Sequence, residues 1–375
     1  MRKSLATLVT AGLLTSVMLT ACDDGGEDGA AGNVATTSGG SEKVTGNDGI
    51  AVILPDTKTS QRWSTDDPKY LEAAFKKANV PYQIFNAEGD KNEFQRIAET
   101  ALDKGFKVLM IVSLDSVSGK AVIQKAHDRK VPVIDYDRLT LNGGADYYVS
   151  FDNQEVGRLQ AKELESCLKA KEVEKPVIAE LNGSPTDNNA TLFKEGYDAY
   201  LSTMFNSGRA VQGPDQFVPE WDNDTGREIF ALMLKQFPNI NGVLAANDGL
   251  GNAAIEVLRE KGLAGKVQVT GQDATTQGLQ NILAGEQCMT VYKDVKSEAD
   301  AAADLAINLY QNKKPQLKDK LKDPESGAYI QFRKLAPKAI TIKNVKSVVE
   351  AGFVDPAALC TAKYRKACRT AGIIK

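Results

Sequence analysis

The sequence predicts an α/β fold with parallel sheets, arranged in two lobes. Three observations carry that expectation. Short continuous apolar runs, the mark of strands buried on both faces, recur along the chain. Amphipathic helical patterns fall between them, and such alternation points to βαβ units. The length, 375 residues, is more than one core usually serves, and a faint internal repeat divides it.

In chain order, "IAVILP" from Ile50 reads as the first strand. "DPKYLEAAFKKANV" follows as a helix with Tyr70, Leu71, Ala74, Phe75 and Ala78 on one face. "FQRIAETALDKGF" is a second helix, and "VLMIVS" from Val108 and "VPVIDY" from Val131 are further strands. "YYVSF", "PVIAEL" from Pro176, "GVLAAND" from Gly242, "VQVTGQD" from Val267 and "CMTVY" continue the series. The repeat joins "VLMIVSLDSVSGKAVIQKAHDRKVPVIDYD" to "VLAANDGLGNAAIEVLREKGLAGKVQVTGQD". Each copy has a strand, an Asp (Asp115, Asp248), a helix, and a second strand ending in Asp (Asp137, Asp273).

Composition is that of a globular protein, with 42% apolar and 25% charged residues. The net charge is −3 and both signs are mixed along the chain, so no basic block offers a nucleic-acid surface. The start, "MRKSLATLVTAGLLTSVMLTAC", has two cations, an apolar run and small residues before Cys22, which is a secretory signal over residues 1–21. Leu19-Thr20-Ala21-Cys22 resembles a bacterial lipobox, which implies lipidation of Cys22 and attachment to the cell membrane. Residues 22–48 then read as a flexible tether, because Gly, Asp, Ser and Thr cannot bury surface. Export places the chain where thiols pair. Cys167, Cys288, Cys360 and Cys368 allow three connectivities. A local Cys360–Cys368 staple in "LCTAKYRKAC" is preferred, leaving Cys167–Cys288 by elimination.

Hydrogen-bonding groups gather after the strands. Asp137 and Arg138 follow "VPVIDY", and Asp187, Asn188 and Asn189 follow "PVIAEL". Asn247 follows "GVLAA", Asp273 ends "VQVTGQD", and Lys293 follows "CMTVY". In parallel sheets ligands bind outside the carboxyl ends of strands. Asp, Asn, Arg and Lys together suit a polyhydroxylated ligand, whose hydroxyls both donate and accept. The two Trp, Trp63 in "SQRWSTDD" and Trp221 in "VPEWDND", sit in polar loops where a ring can cover the C–H face of a sugar. Enzyme signatures are missing from the sequence: there is no nucleophile elbow, no P-loop and no Cys/His pair. His127, the single histidine, lies in a helical pattern on a charged face and reads as solvated. No cofactor or metal is expected.

The segments "QRW", "YDR", "FDNQEVGRLQA", "GSPTDNNA", "AANDG", "GQDA" and "TVYKD" resemble, in order, the periplasmic-type sugar-binding proteins of ABC importers. The likeness is nearest to those that bind D-xylose and runs from about Ile50 to Phe353. It implies two Rossmann-like lobes of the type I periplasmic binding protein fold, joined by a three-strand hinge. The lobes would be residues 49–152 with 294–328, and 153–293 with 329–375. It implies sugar contacts from Arg62, Trp63, Asp137, Arg138, Asp187, Asn188, Asn189, Trp221, Asn247, Asp273 and Lys293. The expected protein is a monomer outside the cytoplasm that captures a monosaccharide, D-xylose in the first place, and hands it to a membrane permease. Another aldose, or a sensor feeding a membrane receptor, is the alternative. A DNA-binding regulator with similar lobes would need a helix-turn-helix where the signal stands.

Overall fold

The computed structural model describes residues 48–375, so the signal, Cys22 and most of the tether lie outside the described residues. The first lobe begins with β1 (Ile50–Leu54), α1 (Asp66–Ala78), β2 (Tyr82–Asn86), α2 (Lys91–Asp103), β3 (Val108–Ile111), α3 (Ser116–Asp128), β4 (Val133–Tyr136) and β5 (Tyr147–Phe151). The chain then crosses into α4 (Asn153–Ala170), β6 (Val177–Asn182), α5 (Asn188–Asn206), β7 (Val211–Phe217), α6 (Asn223–Gln236) and β8 (Ile240–Ala245). α7 (Asp248–Glu260), β9 (Gln268–Val269), α8 (Thr276–Ala284) and β10 (Met289–Tyr292) complete that excursion. It returns through α9 (Val295–Tyr310), β11 (Asp319–Lys322) and β12 (Tyr329–Leu335). It crosses a third time into β13 (Lys338–Thr341), α10 (Lys346–Glu350), α11 (Pro356–Leu359) and α12 (Arg365–Thr370).

One sheet runs β11-β12-β5-β4-β3-β1-β2, and the other runs β7-β6-β8-β9. All pairs are parallel except β11–β12. β10 and β13 form a separate antiparallel ribbon. β1 explains why such strands are apolar throughout. Successive side chains point to opposite faces, so Ile50, Val52 and Leu54 pack with Leu71, Phe75 and the alanines of α9. Ala51 and Ile53 pack on the other face with Phe94, Ile97 and Val122. On α1, Leu71 and Phe75 are fully buried, Tyr70 and Ala74 half-buried, and Ala78, its last residue, exposed.

The boundary expected at residue 329 moves. Tyr329–Leu335 pairs with β5, from Gln331 against Tyr147 to Leu335 against Phe151, so this strand belongs to the first sheet. The third crossover therefore falls between Leu335 and Lys338. The strand is hard to read because it is alternately exposed, and its partner β11 is an edge strand rich in charge, as edges commonly are.

In the second lobe α4 and α5 approach closely. A Cβ on Gly157 would stand 1.9 Å from the Phe193 carbonyl oxygen, and one on Gly196 would stand 2.0 Å from that of Gln154. Only glycine lets the two backbones meet there. Disulfides join Cys167 to Cys288 and Cys360 to Cys368.

Candidate ligand-binding site

The carboxyl ends of strands from both sheets face one cavity where the lobes meet. It encloses about 340 Å³ of empty space, solvent at its mouth included. From the first lobe come Thr59, Ser60, Arg62, Trp63, Asp137 and Arg138. Asp187, Asn189, Phe193, Trp221, Asn247, Gln272 and Asp273 face them, and Lys293 enters from the second crossover.

Local folding sets the first wall. The Asp56 carboxylate accepts from the Lys58 and Thr59 amides at 2.8 and 2.7 Å and from the Thr59 hydroxyl at 2.7 Å, which turns Thr59 and Ser60 inward. A 3-10 turn, Gln61–Trp63, then buries Arg62 and Trp63. The Arg62 guanidinium lies 4.2 Å from the centre of the Trp63 ring. It donates to both oxygens of Asp67 at 2.8 and 2.7 Å, to Asp137 at 2.8 Å and to Glu298 at 2.6 Å. Such a bidentate fork fixes the plane as well as the position.

The two aspartates of the internal repeat are structural equivalents. Asp137 and Asp273 each follow the second strand of a unit, and each has a left-handed backbone, with φ 60° and 97°. Each amide donates to the next strand at 2.8 Å, Asp137 to Val149 and Asp273 to Val291. Lys293 lies between their carboxylates, 3.3 Å from Asp137 and 3.6 Å from Asp273. Trp221 is also left-handed, with φ 58°. Non-glycine residues in this region cost of order 1–3 kcal/mol each and concentrate where function needs them.

The second wall answers why an acid and amides crowd the turn after β6. Asp187 caps α5: one oxygen accepts the Asn189 amide at 2.9 Å. Its other oxygen accepts the Arg138 Nε at 2.9 Å and the Trp221 indole at 3.1 Å. The cap therefore also orients a cation from the opposite lobe and an aromatic wall. Asn189 donates to the Asp137 carbonyl and carboxylate at 3.0 and 3.1 Å. Asn247 caps α7 in the same manner. Two buried acceptors lining the cavity, Gln272 Oε1 and Asp273 Oδ1, have no hydrogen-bond partner among the described residues. Buried acceptors are rarely left so, and a ligand hydroxyl can donate to both.

Charge is unevenly distributed. Burial pushes the Asp137 carboxyl up, but Lys293, Arg62 and Arg138 more than offset it and hold it at about 2. Burial pulls the Lys293 ammonium down, and Asp137 and Asp273 more than restore it, to above its ordinary value. Glu298 is 2.6 Å from Arg62, yet burial outweighs that contact and pushes its carboxyl to about 8. Burial likewise pushes Asp135, Glu180 and Asp248 to about 7. These four folded-state values lie above the unfolded ones, so the folded chain holds more protons between roughly pH 4 and 8. Stability is therefore expected to fall as pH rises through that window, by at most about 1.4 kcal/mol per pH unit for each group. Asp137 acts oppositely, and its contribution is lost only as pH drops from about 4 towards 2. Urea midpoints measured from pH 4.5 to 8 check the slope, and Glu298→Gln is expected to flatten it.

Of the eleven residues that sequence reasoning named, ten line the cavity. Asn188 does not: it is the first residue of α5 and half-buried, while the buried Asn189 lines the cavity. Thr59, Ser60 and Phe193 were missed, and Gln272, outside the eleven, lines the cavity as well. Phe193 lies one turn after Asn189 on α5, a spacing that puts both on one face. Gln272 stood beside Asp273 in the same strand end.

Two sheet-based lobes, linked by three crossovers and meeting on one polar cavity, make the architecture of a hinged solute-binding protein. The comparisons with known proteins agree. The chain belongs to the periplasmic binding protein family: its periplasmic binding protein domain matches residues 50–314. Members of the family work outside the cytoplasm, and their role is solute binding, not catalysis. The chain is 32% identical over 312 residues to the D-xylose-binding periplasmic protein of Escherichia coli, covering 81% of this chain and 90% of the relative. It is 33% identical over 323 residues to the multiple sugar-binding periplasmic receptor ChvE of Rhizobium radiobacter, with coverage of 81% and 90%. A carbohydrate transporter solute-binding protein from Chloroflexus aurantiacus, solved with D-glucose, superposes with a TM-score of 0.75 at 25% identity, covering 82% of this chain and 97% of that one.

Proposed function

We propose that this chain is a lipoprotein, anchored at Cys22 and monomeric, that captures a monosaccharide, D-xylose first, and delivers it to an ABC permease. The reading rests above all on the cavity's chemistry. Two arginines of the first lobe, Lys293 of the crossover and carboxylates of both lobes line it, and two tryptophans wall it. Two buried acceptors, Gln272 Oε1 and Asp273 Oδ1, make no hydrogen bond among the described residues, the second lying 3.6 Å from the Lys293 ammonium. A ring of hydroxyls supplies donors and acceptors in that arrangement, and an indole covers a sugar's apolar face. Binding stabilises the closed arrangement because only there do both lobes contribute contacts. D-xylose lacks the exocyclic hydroxymethyl of glucose, which suits a small cavity, and it is the ligand named for the Escherichia coli relative.

Intrinsic fluorescence of the two tryptophans tests this. Titration of the acyl-free protein with D-xylose is expected to saturate at micromolar concentration or below, with weaker responses to D-glucose, L-arabinose, D-ribose and D-galactose. Asp187→Ala and Asp273→Ala are each expected to weaken binding by about 2–4 kcal/mol, since buried partners lose their acceptor. No saturation with any sugar, from folded protein, would remove the proposal. Equal affinities for several aldoses would favour a broader specificity, the reading that the likeness to a multiple sugar-binding receptor supports. Membrane attachment is tested by Cys22→Ser, which is expected to move the protein from the membrane to the soluble fraction.

A further inference from the structure

We infer that the C-terminal segment, residues 345–375, is a brace that positions Asp273, an inference that rests on the sugar-binding role proposed for that residue. The family's domain match ends at residue 314, so the segment lies beyond it. Asp273 and Ala274 are consecutive left-handed residues, with φ 97° and 52°, and such backbone persists only where its surroundings over-determine it. Part of that determination is local, because the Ala274 amide donates to the Thr290 hydroxyl at 3.1 Å and the Thr275 amide to Asp248 at 2.8 Å. The rest comes from the segment. Ala274 is fully buried in one apolar cluster with Val348, Leu359, Tyr364 and Cys368.

Two further contacts tie the segment to the elements that flank the cavity. The Gln280 side chain, on the helix that follows Asp273, donates to the carbonyls of Ala358 and Leu359 at 3.1 and 3.2 Å. Phe353 packs edge-on against Tyr292, the neighbour of Lys293, with ring centres 5.0 Å apart. The segment thus supports the strand end before Lys293 and the middle of the helix after Asp273 together. Its own helices are only five, four and six residues long, too short to stand alone. The Cys360–Cys368 disulfide holds the last two together.

The test compares the full chain with the Cys360→Ser/Cys368→Ser variant and with Gln280→Ala, each alone and combined with Asp273→Asn. Both are expected to lower D-xylose affinity, the disulfide variant by about tenfold. Neither is expected to lower it further once Asp273 is replaced, because the brace acts through that carboxylate. Amide hydrogen exchange is expected to quicken over residues 272–276 while β6 and β8 keep their protection. Gln280→Ala keeps the disulfide and covers the case in which the double variant does not fold. Unchanged affinity and exchange in both variants would overturn the brace, as would an equal loss in the Asp273→Asn background. Failure of the unaltered chain to bind any sugar would instead remove the proposed function.

Discussion

Asp137→Ala is expected to abolish measurable sugar binding and to lower stability by about 1–3 kcal/mol, the range for leaving buried donors without their acceptor. Its carboxylate accepts from Arg62 at 2.8 Å, from Asn189 at 3.1 Å and lies 3.3 Å from Lys293. Removing it takes away the carboxylate shared by Arg62, which keeps Asp67 and Glu298, and Lys293, which keeps Asp273. Alanine is also a poor occupant of φ 60°, where Asp and Asn are tolerated. Asp137→Asn keeps the backbone and one acceptor, so it is expected to recover much of the stability and little of the affinity. Urea unfolding beside calorimetric titration separates the two. An alanine variant that binds as tightly as the unaltered chain would show that Asp137 is not part of the site.

Gly183→Ala is expected to weaken binding by a hundredfold or more through Trp221, a loss of roughly 3 kcal/mol. The Trp221 ring lies directly over this glycine, and a Cβ there would stand 2.0–2.4 Å from three ring carbons. A rigid indole cannot absorb that by a small shift, so the ring has to leave its place. It would then lose its hydrogen bond to Asp187 and its edge contact with Phe193, whose ring centre is 6.4 Å away. The substitution also reads out by spectroscopy: Trp221 is buried, and displacing it is expected to shift emission to the red. Retained affinity with unshifted emission would show that the turn can open without moving the ring.

The parts of the fold that were legible are those whose burial is two-sided. β1, β3, β4, β6 and β8 are mostly apolar and buried almost throughout because both their faces are covered, with a few polar residues such as Asp135, Glu180 and Asn182 among them. β2, β7 and β12 were unreadable for the converse reason: they are partly exposed, and β7 carries Gly213, Pro214 and Asp215. β9 is shorter than "VQVTGQD" suggested, two residues long, because the chain leaves the sheet to present Gln272 and Asp273. In the site, residues at strand ends stood out by their polarity in apolar surroundings. Thr59 and Ser60 did not, since their orientation depends on three hydrogen bonds to Asp56 that no local pattern announces. The pairing of Asp137 with Asp273 was foreshadowed by the repeat, but its meaning, a shared lysine, needed the crossover that brings Lys293 between them.

The place of β12 beside β5 has a consequence for the order in which the molecule can be assembled. The second lobe's main core draws on residues from Val156 to Val291 in one uninterrupted stretch. The first lobe's core cannot: it needs the alanines of α9, and its sheet lacks a parallel strand until Leu335 has been delivered. A chain emerging from its amino end therefore lacks the cover that α9 gives to β1, β3 and β5 while the second lobe's main core is made. Contacts so distant along the chain form slowly. The first lobe therefore closes its core only after the second lobe's main core has been made, and residues 338–375 then return to complete the second.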